Sequence, residues 1–143
     1  MKVKEILQAK GASVYCVPAT ATMRDAVEML AEKNVGALVV SGADGAPVGV
    51  LSERDVVRQL RTDGEAALGA AVSACMTAEP FTCGEEATCD ELMSQMTTRR
   101  IRHIPVVERG RMVGLVSIGD VVKRKIDEAE QEAAALKSYI AST

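Results

Sequence analysis

The chain has 143 residues, of which 48% are hydrophobic, 26% charged and only 2% aromatic. That supports one folded domain, or two small halves sharing a core, built from Val, Ile, Leu, Met and Ala. The formal net charge of -3 argues against general, charge-driven nucleic-acid binding but leaves room for a local basic pocket. No stretch approaches the roughly 18 uninterrupted apolar residues of a membrane span, so no membrane partner is expected. The segment Met1-Lys2-Val3-Lys4-Glu5 lacks the apolar run of a secretory signal, which makes the cytoplasm the expected compartment.

The first predicted element is an amphipathic helix opened by Thr22-Met23-Arg24-Asp25. This is a Thr-x-x-acid capping box followed by the apolar stripe Met23, Ala26, Val27 and Leu30. A β-branched strand follows, Val35-Gly36-Ala37-Leu38-Val39-Val40, and then a turn at Gly42-Ala43-Asp44-Gly45. Pro47 marks that turn, and a second strand runs into Gly49-Val50-Leu51-Ser52-Glu53-Arg54-Asp55 and on into a helix.

The same order then recurs. Thr88-Cys89-Asp90-Glu91 opens a second capped helix, 66 residues after the first, with Leu92, Met93 and Met96 on its apolar face. The strand Ile101-Arg102-His103-Ile104-Pro105-Val106-Val107 follows, and Glu108-Arg109-Gly110 makes the turn. Gly114-Leu115-Val116-Ser117-Ile118-Gly119-Asp120 then hands over to a last helix. Met23, Met29, Met93 and Met96 read as core. From 121 to 141 there is no Gly or Pro, and Ile126, Ala129, Ala133, Leu136 and Ile140 step by 3 and 4 residues along a narrow apolar seam.

The predicted organisation is therefore α/β (α+β), with repeat one over 1–70, repeat two over 71–126 and an amphipathic C-terminal helix over 127–143. A unit this short cannot bury its own apolar face, so the copies are expected to pack about a pseudo-twofold axis.

The chemistry lies in Gly-x-x-Ser-x-x-Asp, found in both copies where a strand meets a helix. One reading is structural: Ser52 and Ser117 are N-caps, and Asp55 and Asp120 complete capping boxes. The other is functional, because a helix N-terminus attracts phosphate and a carboxylate one turn on can accept bonds from two ribose hydroxyls. Gly49 and Gly114 would admit backbone close to a ligand, or relieve a bend at a strand end. Cys16, Cys75, Cys83 and Cys89 sit singly, with no C-x-x-C pair and no partner histidines, so no metal site is expected. His103, the only histidine, has no catalytic partner in the sequence. With no nucleophile triad, metal cluster or P-loop either, no catalytic residues are assigned.

The paired motifs and the strands before them resemble a tandem cystathionine-β-synthase (CBS) domain pair, or Bateman module, of the stand-alone bacterial kind. Cys75-Met76-Thr77-Ala78-Glu79-Pro80 resembles the Met-Thr-x-x-Pro opening of a second repeat. The resemblance implies a regulatory sensor holding adenosyl ligands in two clefts between the repeats. AMP is expected first, with ADP, ATP, NAD(H) or S-adenosylmethionine as further possibilities. It groups Ser117 and Asp120 with Val35, Gly36, Ala37 and the lead-in residues Val14 and Val17. It groups Ser52, Arg54 and Asp55 with Ile101, Arg102, His103 and the lead-in segment from Pro80 to Cys83.

Arg102 and His103 match phosphate-contacting positions of the family. Repeat one has the uncharged Gly36 and Ala37 there, and repeat two has Gly119 in place of Arg54. The resemblance therefore implies that the Asp55 site takes the more anionic tail. It also implies a flat, disc-shaped homodimer that transmits ligand state to a regulated protein, and the apolar seam of the C-terminal helix is expected to assist that dimer. The rival expectation is an adaptor that uses the arginine-rich stretch Arg99, Arg100, Arg102, Arg109 and Arg111 to hold protein or nucleic acid, its nucleotide sites vestigial.

Overall fold

A computed structural model describes residues 1–11 and 14–142, so Thr143 at the end of the expected tail helix lies outside the described residues. The elements run α1 (Val3–Lys10), β1 (Cys16–Pro18), α2 (Met23–Lys33), β2 (Ala37–Ser41), β3 (Pro47–Ser52), α3 (Glu53–Asp63), a 3-10 turn (Gly64–Gly69), α4 (Val72–Cys75), β4 (Thr77–Ala78), α5 (Cys89–Arg99), β5 (His103–Glu108), β6 (Arg111–Ser117) and α6 (Ile118–Ser142). The chain is α+β, as expected. No described helix is long and apolar enough to cross a membrane.

Both capping boxes form. The Thr22 hydroxyl accepts the Asp25 N–H while Asp25 accepts the Thr22 N–H, and Thr88 and Glu91 repeat the exchange. Each helix ends on a left-handed residue, Asn34 (φ 53°) and Arg100 (φ 55°). The chain turns there, which is why β2 and β5 begin two residues later than the sequence suggests.

Residues Ser13–Phe81 form one compact unit. Its sheet has the order β1-β2-β3-β4, with β1 parallel to β2 and the other pairs antiparallel. Val17, Met23, Ala26, Leu30, Leu38, Val40, Leu51 and Val72 make its core.

The other unit joins Met1–Ala12 to Thr82–Thr143. Its β5–β6 hairpin turns through Arg109 and Gly110, both at positive φ (52° and 76°). That is the geometry of a tight two-residue turn whose twist matches the strands. Cys83 bridges Val106 in parallel, matching the Val17–Val40 pair of the first unit. Its buried apolar residues include Val3, Ile6, Leu7, Leu92, Met96, Ile104, Val106, Val116 and Val121.

The compact units are not coextensive with the sequence repeats, because the lead-in segments are exchanged. Residues before the first capped helix bind repeat two: the Val3 N–H donates to the Ala87 carbonyl (2.8 Å) and the Cys89 N–H to that of Met1 (2.9 Å). Residues before the second capped helix bind repeat one in the same way, Val72 to Ala21 (2.8 Å) and Met23 to Ala70 (2.9 Å). Buried Val3 and Val72 occupy matching positions. At the other end, α6 runs unbroken through 127, so the tail is a continuation of the repeat's last helix.

Candidate functional site

Both Gly-x-x-Ser-x-x-Asp segments lie at strand-to-helix junctions, β3 to α3 and β6 to α6. At the first, the Ser52 N–H (2.9 Å) and hydroxyl (3.1 Å) donate to Asp55 Oδ2, while the Asp55 N–H donates to Ser52 Oγ (3.3 Å). At the second, the Ser117 N–H donates to Asp120 Oδ2 (2.9 Å) and the Asp120 N–H to Ser117 Oγ (3.2 Å). The structural reading of the serines is thus realised in both copies.

The first-turn amides are also largely engaged. The Glu53 N–H donates to the Gly36 carbonyl (3.0 Å) and the Ile118 N–H to the Arg102 carbonyl (2.8 Å). What a ligand can still use is carboxylate capacity, since an ionised carboxylate accepts about four hydrogen bonds. Asp55 is only 8% exposed, the one buried charged residue among those described. Its Oδ1 accepts the Thr77 hydroxyl at 3.4 Å and lies 3.9 Å from Arg58. Asp120 is half-buried, and its Oδ2 also takes the Lys10 ammonium at 2.7 Å. Burial pushes the Asp120 carboxyl up, but Lys10 and the Ser117 donors outweigh it and hold it below the usual value of 3.8.

Hairpin pairing decides which predicted residues meet. Ala37 pairs with Ser52 and His103 with Ser117. Gly36 and Ala37 therefore lie beside the Asp55 junction within their unit, and Arg102 and His103 beside the Asp120 junction within theirs. Arg54 and Arg102 are exposed, while Val14, Val35, Pro80 and Ile101 are half-buried. Val17 and Ala37 are buried, and the Val17 side chain belongs to the core of its unit.

The two glycines have a structural cause. A Cβ at Gly49 would lie 2.7 Å from the Thr77 carbonyl oxygen and 2.8 Å from Met76 Sδ, and one at Gly114 would lie 2.6 Å from Leu7 Cδ2. They admit the exchanged lead-in segments. Lys10, missed in the sequence reading, comes from one of them. Apolar Val3, Ile6 and Leu7 at helical spacing signal the helix that carries it. Among the described residues, no cluster of three or more His, Cys, Asp or Glu could hold a metal ion.

Two stretches of the chain, residues 3–62 and 72–127, match the sequence family of the CBS domain. The crystal structure of a CBS-domain-containing protein from Agrobacterium tumefaciens is 41% identical and superposes with a TM-score of 0.85, over 87% of this chain and 92% of that one. A mitochondrial CBS domain-containing protein of Arabidopsis thaliana is 36% identical over 147 residues, 96% of this chain and 71% of its own length. A CBS domain protein from Pyrobaculum aerophilum, solved in complex with AMP, is 29% identical with a TM-score of 0.73, over 84% of this chain and 89% of that one. Two copies of one motif, two matching junctions and these relatives lead to one conclusion: the chain belongs to the CBS-domain family.

Proposed function

We propose that the chain is a non-catalytic regulatory module that binds adenine nucleotides, one at each Ser-x-x-Asp junction. The observation that carries this reading is the pair of carboxylates, buried Asp55 and half-buried Asp120, each fixed by its serine at the start of a helix. The AMP complex of the Pyrobaculum relative supports the ligand class. In this reading Asp55 and Asp120 accept the ribose hydroxyls, and aliphatic side chains hold the base. Val14, Val17, Val35, Gly36, Ala37, Pro80, Ile101, Arg102, His103, Arg54, Ser52 and Ser117 complete the two sites in the groupings that the resemblance implies. AMP is the first candidate, followed by ADP, ATP and NAD(H).

Binding shifts the population of conformations that a regulated protein reads. We further propose a homodimer. Ile126, Leu136 and Ile140 of the α6 seam are exposed, and an apolar groove of the first unit is lined by Val27, Leu30, Val56 and Val57. The cytoplasm is the compartment we propose, where the four free thiols stay reduced.

A thermal-shift panel of AMP, ADP, ATP, NAD(H), GTP and S-adenosylmethionine tests the ligand class. A ligand at 100 times its Kd stabilises the native state by about 2.7 kcal/mol. Adenine ligands should raise the Tm and GTP should not; no response from any adenine compound would remove this reading.

A second reading, the arginine-rich adaptor, is favoured by the exposure of Arg102, Arg109 and Arg111. It requires Arg102→Ala to abolish retention of RNA, DNA or a protein partner while AMP affinity is unchanged.

A further inference from the structure

The exchanged lead-in segments bring different chemistry to the two junctions. Asp55 receives the neutral Thr77 hydroxyl. Asp120 receives Lys10, the last residue of α1, whose ammonium donates to Oδ2 at 2.7 Å and to the Leu115 carbonyl at 2.9 Å. Lys10 arrives on an anchored helix. Arg124 donates to the Glu5 carbonyl (3.2 Å), the terminal ammonium pairs with Glu128 (2.9 Å), and Leu7 packs on Gly114. The expected charge asymmetry, with all basic groups assigned to the Asp55 site, leaves this cation out.

A ribose diol reaching Asp120 donates to the carboxylate that the ammonium already holds. Oδ2 already accepts the ammonium and the Ser117 N–H, so a diol that spans both carboxylate oxygens competes with the ammonium there. Displacing the ammonium leaves it without a counter-ion unless the ligand brings one, and its flexible stem lets it follow a nearby anion. A nucleotide carries that anion and a nucleoside does not. We propose that Lys10 makes the Asp120 junction select adenosine phosphates against uncharged nucleosides. This rests on the reading of Asp120 as a sugar-binding carboxylate, and it makes Lys10 a specificity-determining residue.

The test is calorimetry with adenosine and with AMP on Asp55→Ala, which leaves the Asp120 junction as the one binding site, with and without Lys10→Met. Methionine keeps the apolar stem and removes the charge. Lys10→Met should tighten adenosine roughly 1.5- to fivefold, the scale of an exposed ion pair, without tightening AMP, so the preference for AMP falls at least as much. An unchanged preference overturns the assignment. Asp55→Ala/Asp120→Ala separates the two failures. If it still binds as Asp55→Ala does, the sugar-binding reading itself is wrong; if it binds nothing while the preference ignores Lys10→Met, only the role of Lys10 is lost. Lys10→Gln removes the same charge if the methionine variant does not fold.

Discussion

Leu7 packs so tightly on Gly114 that a methyl carbon at 114 would sit 2.6 Å from Leu7 Cδ2. At the matching Gly49 the obstacle is firmer, the Thr77 backbone carbonyl at 2.7 Å. Overpacking of this kind costs about 1–3 kcal/mol, least where a side chain can move aside. Gly49→Ala should therefore destabilise near the top of that range and Gly114→Ala near the bottom, as read by urea unfolding. In a Leu7→Ala background, Gly114→Ala should cost almost nothing, because the clashing atoms are gone. Equal costs for the two glycines in the unaltered chain would refute this account of the motif.

Acid should weaken the Lys10–Asp120 pair. Because the native carboxyl titrates below 3.8, the unfolded chain takes up its proton first. The pair's stabilisation is then complete above about pH 4 and lost as pH falls through the native value. Lys10→Met should cost about 0.2–1 kcal/mol at pH 6, as a partly exposed pair does. That difference should shrink steadily as the pH drops below 4. A difference independent of pH would mean that the lysine stabilises through its stem alone.

Local signals in the sequence were dependable where the chemistry is local. Thr22 with Asp25, Thr88 with Glu91, and Ser52 with Asp55 each sit three residues apart, and all form the reciprocal bonds that their spacing predicts. The repeat followed from those boxes and the β-branched strands between them. What escaped the sequence was long-range. Nothing in Val3, Ile6 and Leu7 tells which sheet their helix covers, so the exchange of lead-in segments and the Lys10–Asp120 contact stayed hidden. The same blindness assigned Gly49 and Gly114 to ligand approach or a bend, when they make room for Thr77 and Leu7.

The α6 seam supplies a prediction about assembly. Leu136 is 59% exposed and Ile140 63%, so neither is needed to hold the protomer's own fold. Glu132 flanks one side of the seam, Glu130 and Lys137 the other. A second copy can thus bury the stripe and pair the charges. Leu136→Glu should halve the mass measured by light scattering and leave the unfolding midpoint of the monomer intact. A wild-type chain that is already monomeric at micromolar concentration would end the dimer proposal.

The claim on which the rest depends is that Asp55 and Asp120 each hold a nucleotide. Calorimetric titration of AMP into the unaltered chain, Asp55→Ala and Asp120→Ala tests it most directly. Two equivalents should bind the unaltered chain and one should bind each variant, with both variants folded by thermal unfolding. Full stoichiometry in both variants would contradict the account.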